Sequence, residues 1–428
     1  MKPASRIQAA IDILDREQSS RVPLDSVVGD YMRVRRYIGS KDRAEVAQRI
    51  FDMARAHARL GWWLERAGVE ESARARVMFW LVLGEKLELK RIEDLFDGSK
   101  YAPEQLSTEE TAILQKLEGN TLEHPDMPET ILCECPPQYE SKLRDFFGKD
   151  FAAEMKAMLE PATLDLRVNV FLAEKDKVKA YLEADGVKTK KTKYSPWGLR
   201  CENKAFLSRT KAFAKGWVEI QDEGSQLIAH VCDPKSGMQV LDYCAGAGGK
   251  TLALASAMMR KGRIVAMDLD EKRLMKGRER YKKAQLADII EVRPLSEDRH
   301  RKWLRRQKGT FDLVLLDVPC SGTGTWRRNP DMRWRTYGPA LEELLPIQAE
   351  ILDKVAHAVK PGGKLVYATC SLLTDENEAQ VEAFVARHPE FEIVPLDPDI
   401  GLGSPFMRLT PKRHSTDGFF AAQLIKKA

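Results

Sequence analysis

The chain has 428 residues and no long hydrophobic run; the longest, Val77–Leu83, is seven residues, against the roughly 20 that a spanning helix needs. The opening segment, MKPASRIQAAIDILDREQ, is charged and amphipathic throughout and holds no secretory apolar stretch. The protein is therefore expected to stay in the cytoplasm, away from membranes. Charge of one sign is also lacking: 69 Lys and Arg against 64 Asp and Glu leave a formal charge of +5. That excludes a histone-like polycation but leaves room for local basic patches on a nucleic-acid enzyme. Cysteines number seven, an odd count without an export signal, so a disulfide framework is not expected. Cys133 and Cys135 form a C-x-C pair with no second pair at zinc spacing, and the histidines are scattered, so no metal site is expected. What remains is a set of free thiols available for chemistry. Internal repeats and low-complexity segments are absent as well.

With 43% hydrophobic and 31% charged residues the chain can bury a core, and its length suits two to four domains. Residues 1–125 have almost no proline and place apolar residues at helical spacing, as in Ile7, Ala10, Ile11 and Leu14 or Val46, Ile50, Met53 and Ala54. They predict a helical domain. Between Arg33 and Arg66 nine Lys/Arg face four Asp/Glu, with Tyr31, Tyr37, Trp62 and Trp63 nearby. Such a stretch is either an ordinary solvated face or an RNA-docking one, since arginines suit phosphates and aromatics suit bases. The proline-rich Leu122–Pro137 reads as a linker. Residues 126–215 read as a small α/β module: Leu164–Phe171 alternates like a strand, Asp176–Ala184 looks helical, and Gly198–Phe206 is strand-like. From 216 to 428 short apolar runs alternate with helical stretches. Met238–Asp242, Arg263–Asp268, Ile289–Val292, Phe311–Asp317 and Lys364–Thr369 are the expected strands of a doubly wound, mostly parallel α/β sheet.

Three motifs in this last region carry chemistry. In VLDYCAGAGGKT (Val240–Thr251) a strand ends at Asp242, a glycine-rich turn follows, and a helix starts near Lys250. Bare backbone N–H groups at a helix start suit an anionic or polar ligand. The turn is not a Walker A loop, because Cys244 stands where that pattern requires glycine. Asp268 ends the next strand, about 20 residues on, where a carboxylate can accept both ribose hydroxyls of an adenosine ligand. This favours a dinucleotide or S-adenosylmethionine (SAM). The second motif, LVLLDVPCSGTGT (Leu313–Thr325), delivers Asp317 and Cys320 from a buried strand. The third, GKLVYATCSL (Gly363–Leu372), delivers Cys370. Strand carboxyl ends are where open α/β sheets place their ligands, so two thiols should face one crevice. A thiolate that adds to carbon 6 of a pyrimidine makes carbon 5 able to attack a methyl sulfonium, and a base must later remove the carbon-5 proton. The attacking thiol needs a nearby positive charge, for which Lys250 is the candidate.

These blocks resemble the RsmB/Nop/Sun family of RNA cytosine-5 methyltransferases over roughly Pro161 to the carboxyl terminus. The likeness includes LRVN (Leu166–Asn169), QDEGSQL (Gln221–Leu227), DVPCSGTG, ATCSL and TDGFF (Thr416–Phe420). The resemblance implies a class I, Rossmann-like SAM methyltransferase domain. It implies Cys370 as nucleophile and Cys320 as the residue assisting release, with Asp317 close to the target base. It implies a SAM site lined by Cys244, Ala245, Gly246, Ala247, Gly248, Gly249, Lys250, Asp268 and Asp317. The first 125 residues resemble the NusB-like RNA-binding domain of RsmB-type members. Two departures stand out: Gly246-Ala247 replaces the family's Ala-Pro, and Pro294-Leu295 occupies the place of an acidic residue expected on the adenine side, with Asp298 as its substitute.

The expected activity is methylation of carbon 5 of cytosine in small-subunit ribosomal RNA, with transfer RNA as an open alternative substrate and a monomer as the default state. A non-catalytic ribosome-assembly factor and an NAD-dependent oxidoreductase are the competing classes. Retention of both cysteines argues against the first, and the lack of a hydride-transfer constellation against the second. Two further basic stretches, Arg299–Lys308 and Trp326–Arg335, are candidates for RNA contact; for the second, Arg and Trp beside the Cys320 loop suit phosphate gripping and base stacking.

Overall fold

The computed structural model describes residues 1–397 and 404–428. It divides into two compact units, one of residues 1–160 with 326–338, the other of 161–325 with 339–428. The boundaries expected at 125/126 and 215/216 differ from these. Among the described residues no helix is long and apolar enough to cross a membrane.

The first unit is helical. Its helices begin with Pro3–Ser19, Leu24–Val34, Ser40–Ala54, His57–Arg66 and Ala73–Leu83. The apolar faces seen in the sequence meet in one core: Ile7, Ile11, Leu14, Val46, Ile50 and Met53 are all buried there. Val77–Leu83 is apolar on every side because its helix runs through the middle of that core. The stretch expected as a linker is instead part of this unit. Cys133, Glu134 and Cys135 are buried. Glu134, in the left-handed region at φ 54°, accepts from Ala58 N at 2.7 Å and from Arg59 N at 3.1 Å, with Arg59 Nε at 2.9 Å. It thus satisfies amide groups that the helix His57–Arg66 leaves open at its start. Proline-rich composition reported a bend there, and missed the buried carboxylate that anchors it.

Residues 326–338 overturn a second expectation. Trp326, Arg327, Asp331 and Arg333 are buried with the helices. The Arg333 guanidinium lies over the Trp326 ring at 4.9 Å and donates to Cys133 O at 3.4 Å. Asp331 accepts from Leu24 N at 2.9 Å. Arg335 binds the Glu17 carboxylate and donates to Ser20 O at 2.6 Å. His57 stacks on Trp334 at 5.0 Å. Arginine and tryptophan suit RNA, but the same planar, amphipathic groups suit a protein interior, and sequence does not separate the two. The arginines of Arg33–Arg66 divide likewise. Arg49 is bound to Glu85 at 2.6 Å, Arg59 to Glu134, and Arg43 to Ile38 O at 2.7 Å. Arg33, Arg36 and Lys41 remain exposed, next to exposed Tyr37.

Among its described residues the second unit has twelve strands. A four-stranded antiparallel sheet, ordered β2-β3-β1-β4, uses β1 Asp165–Val168, β2 Thr189–Lys191, β3 Gly198–Cys201 and β4 Val218–Ile220. The large sheet is ordered β10-β12-β9-β8-β5-β6-β7, with β11 on β12. Its parallel part is β5 Gln239–Asp242, β6 Arg263–Asp268, β7 Ile290–Pro294, β8 Phe311–Asp317 and β9 Val359–Thr369. Antiparallel β10 Phe391–Val394, β11 Met407–Leu409 and β12 Phe419–Lys426 complete it. The five parallel strands lie where the apolar runs predicted them, because strands covered on both faces are nearly continuous in Val, Ile and Leu. The chain runs outward from β5 to β7 and then returns to β8 beside β5. The topological switch point therefore lies between β5 and β8.

Residues 161–220 belong to this unit for a specific reason. Buried Arg167 donates to Gln221 Oε1 at 2.5 Å and to Gly249 O at 2.6 Å. Asn169 donates to Ala284 O at 3.0 Å and accepts from Ser256 Oγ at 2.9 Å. The LRVN segment is thus the joint between the small sheet and the glycine-loop helix.

Removal of the Glu134 carboxylate leaves buried N–H groups and Arg59 without their acceptor. Glu134→Ala is expected to lower stability by about 2–3 kcal/mol in urea unfolding; an unchanged midpoint would show that solvent replaces the carboxylate.

Candidate functional site

At the end of β5 the chain enters the glycine loop. Ala245 N donates to Met267 O at 2.9 Å, fixing the loop to β6. Gly246 and Gly248 adopt φ of 54° and 79°, which favour glycine. A Cβ on Gly248 would lie 2.1 Å from the Tyr281 hydroxyl. Gly249 then opens the helix Gly249–Ala257. Arg280 donates to Ala247 O at 2.6 Å and pairs with Glu219 at 2.9 Å, bracing the loop from outside.

Asp268 stands at the end of β6. Gly246 N donates to its Oδ2 at 2.7 Å and Asp270 N to its Oδ1 at 2.8 Å. Each carboxylate oxygen keeps a further lone pair. The loop, the open helix start and this carboxylate fit an adenosine-bearing cofactor: the glycines leave backbone exposed, and Asp268 can accept from ribose hydroxyls. Beyond β7, Leu295 N donates to Asp268 O at 2.8 Å. Asp298, the candidate acidic substitute, starts the helix Asp298–Arg305 and pairs with Lys302 at 2.6 Å. The basic run that follows is largely exposed, and its first members pair with the two acids before it, Arg299 with Glu297 at 2.6 Å and Lys302 with Asp298.

Lys250 and Asp317 meet across the switch point, Nζ to Oδ2, at 2.7 Å. Burial pulls the Lys250 ammonium down, but Asp317, Cys370 and Asp242 more than offset it, so its proton is held more tightly than usual. Asp242 is buried, accepts from Thr251 Oγ1 at 2.6 Å, and is pushed up to about 7, chiefly by burial, with Asp317 adding and Thr251 opposing. Cys244 is forced well above the ordinary thiol range by burial, then by Asp268, Asp317 and Asp242. A thiol so placed is inert.

The two remaining cysteines come together. β8 and β9 pair in parallel up to Asp317 opposite Ala368. Beyond that point Cys320 Sγ and Cys370 Sγ lie 3.4 Å apart. The Cys370 hydrogen bond foremost, then burial and the neighbouring Cys370 and Glu376 charges, drive the Cys320 thiol well above its ordinary value, with Gly322 N–H opposing. Cys320 is accordingly a neutral thiol, while Cys370 shares its field with the Lys250 cation.

Several residues that hold this pair were not legible in the sequence. Glu376, buried, accepts from Ser321 N at 2.8 Å, from Ser321 Oγ, and from Gln348 Nε2 at 3.0 Å. Gln348 also donates to Pro319 O at 3.0 Å. Thr323 Oγ1 accepts from Leu372 N at 2.8 Å. Gly324 N donates to Cys370 O at 2.9 Å, and Gly418 N donates to Gly324 O at 2.7 Å. A Cβ on Gly324 would stand 2.2 Å from Gly418 O. The glycines in DVPCSGTG and TDGFF are thus the two sides of one backbone contact. Only that repetition of glycine in both motifs hinted at it.

A doubly wound sheet with a glycine loop after its first strand, a ribose-directed acid after its second and a switch-point crevice defines a class I SAM-dependent methyltransferase fold. The family described as 16S rRNA methyltransferase RsmB/F matches residues 229–425. Ribosomal RNA small subunit methyltransferase B of Vibrio cholerae is 34% identical over 287 residues, 67% of this chain and 64% of that protein. The enzyme of the same name from Yersinia pseudotuberculosis is 38% identical over 222 residues, 52% of this chain and 50% of that one. The chain thus matches about half to just under two thirds of these relatives' length. The crystal structure of PH0851 is 27% identical and superposes with a TM-score of 0.79 over 100% of this chain and 99% of its own. The chain is thus similar to the RsmB/F methyltransferases, and its cofactor is SAM.

Because Asp242 keeps its proton to about pH 7 in the folded chain and loses it near pH 4 when unfolded, the folded state binds the extra proton between those values. Stability is expected to fall as pH rises through that window, with a slope approaching ~1.4 kcal/mol per pH unit, and to level off above it. Urea midpoints of the wild type and Asp242→Asn across this range check it: parallel curves would assign the dependence to another group. Gly324→Ala is expected to cost at least about 2 kcal/mol through the clash with Gly418 O, read by the same unfolding.

Proposed function

We propose that the protein transfers a methyl group from SAM to carbon 5 of cytosine in RNA, small-subunit ribosomal RNA first and transfer RNA as the alternative. The observation that carries this reading is the pair of thiols 3.4 Å apart at the ends of adjacent parallel strands, beside the Lys250–Asp317 pair. SAM, when bound, supplies an electrophilic methyl sulfonium. The proposed lining is Cys244, Ala245, Gly246, Ala247, Gly248, Gly249, Lys250, Asp268 and Asp317.

The target cytosine leaves its stack to reach the crevice. Cys370, as thiolate, adds to carbon 6, and the ring's electrons shift to carbon 5. Asp317 supports the polarised ring, with Lys250 holding its carboxylate in place. Carbon 5 then carries the new methyl group and its original proton. Water in the crevice takes that proton, the carbon 5–hydrogen electron pair returns to the ring, and the carbon 6–sulfur bond breaks to leave Cys370 as a thiolate. Cys320 assists this release, and its hydrogen bond to Cys370 suits it to hand protons on the sulfur side. The resemblance of ATCSL to the family's motif is what makes Cys370 the attacking group in this reading. We assign RNA holding in the NusB-like helical unit to the exposed turn with Arg33, Arg36, Tyr37 and Lys41. The protein is expected to work as a cytoplasmic monomer.

The test combines trapping with isotope release. With SAM and ribosomal RNA, Cys320→Ala should accumulate an adduct stable on denaturing gels, and Cys370→Ala should give none. RNA tritiated at carbon 5 should release tritium during turnover of the wild type. Adduct with Cys370→Ala alone would exchange the two roles. Retained tritium would overturn carbon-5 chemistry.

A further inference from the structure

A basic groove in the second unit has no part in the chemistry above. It has a volume of about 310 Å³ and is lined by Lys190, Lys191, Lys193, Tyr194, Arg413 and His414, among others. Its walls come from two places in the chain. One is the edge strand β2 with the turn after it, the other the short helix Pro411–His414. The charges differ in what they do. Lys191 pairs with Asp176 at 2.7 Å. Arg200 pairs with Asp165 at 2.6 Å and with Glu223 at 3.3 Å. Among the described residues of the lining Glu223 is the one acid. It is buried and accepts from Tyr194 N at 2.5 Å and Ser195 N at 2.9 Å. Lys190, Lys193 and Arg413 are exposed cations on the rim.

The positive field is felt by the imidazole between them. Burial first, with Arg413 and Lys193, pushes His414 below its ordinary value, against the Thr410 hydrogen bond. His414 meets the Tyr194 ring edge-on at 5.9 Å, and Lys193 lies over the same ring at 4.8 Å.

Lysines on an edge strand keep sheets from pairing edge to edge. That accounts for β2 alone. It does not account for Arg413 and His414 arriving from more than 200 residues away to complete a concave surface. Clustered cations with an aromatic face are what a single-stranded nucleic acid requires, phosphates for the cations and bases for the ring. A membrane surface favours instead a basic face with apolar side chains to insert. The groove also lies close along the chain to the thiols. His414 is four residues before Gly418, at most about 15 Å of backbone, and Gly418 hydrogen-bonds Gly324, which hydrogen-bonds Cys370 O.

We propose that this groove grips the phosphodiester backbone of a single-stranded stretch of the RNA substrate flanking the target base, with Lys190, Lys193 and Arg413 as phosphate contacts and Tyr194 as a stacking platform. The proposal rests on the RNA reading above. It is tested with Lys190→Gln, Lys193→Gln and Arg413→Gln combined, and with Arg299→Gln, Arg301→Gln and Lys302→Gln combined as a control on the other basic surface. Binding of in vitro transcribed 16S ribosomal RNA is measured between about 50 and 200 mM salt, alongside SAM affinity and the urea midpoint.

The groove variant is expected to bind RNA at least about tenfold more weakly at physiological salt. Its log K against log salt slope should be shallower by about 2, since each lost single-strand phosphate contact removes about 0.7. SAM affinity and stability should be unchanged, and the control should bind as the wild type does. An unchanged RNA affinity and slope, or an equal loss in the control, would overturn the proposal. So would a groove variant that loses binding to phosphatidylserine vesicles while retaining RNA. If the groove variant alone loses RNA while the wild type releases no tritium from any RNA, the groove stands and the methylation reading fails.

Discussion

The parallel pairing of β8 and β9 is the constraint on which the rest depends. It sends two chain segments out of the same sheet edge, side by side, and neither carries its cysteine on the strand itself. The 3.4 Å separation of the sulfurs is set by what holds the two loops afterwards. Glu376 grips the Ser321 side, Thr323 grips the Leu372 side, and Gly324 lies between Cys370 and Gly418. A buried carboxylate is costly unless its lone pairs are filled. Here the filling groups belong to the loop that has to be positioned, so the cost of burying Glu376 and the placing of Cys320 are met by the same hydrogen bonds.

The electrostatics follow from that placement. Asp317, Cys370 and Asp242 act together on the Lys250 ammonium at the switch point. They outweigh burial in holding its proton, while burial itself pushes Asp242 and Cys244 up. The hydrogen bond to Cys370, ahead of burial, pushes up the Cys320 thiol.

The helical unit shows how the same side chains serve opposite ends. Arg333 on Trp326 and His57 on Trp334 use contacts that would equally hold a base. What decides is burial, and burial is a property of the assembled helices. Arg49, Arg59 and Arg335 satisfy carboxylates inside the unit, while Arg33 and Arg36 face solvent. A count of arginines in a window therefore overstates the surface available to a polyanion. Lys190 and Lys193, by contrast, are joined to Arg413 only in the fold.

The sequence by itself determined the parallel strands, the glycine turn and the two strand-end cysteines. Each follows from local physics: continuous apolar runs for strands covered on both faces, glycine where φ must be positive, and loops that start where those runs stop. The family motifs added which thiol to watch. The tertiary structure alone decided how far apart the sulfurs sit, which arginines are available, and where the first unit ends. Leu122–Pro137 and Trp326–Arg335 were misread for one reason: proline bends and Arg–Trp clusters have the same composition in a linker or a binding face as in a core. Glu376 and Gln348 lay unseen because their work is to contact residues 28 to 55 positions away, and no local pattern records a partner at that distance.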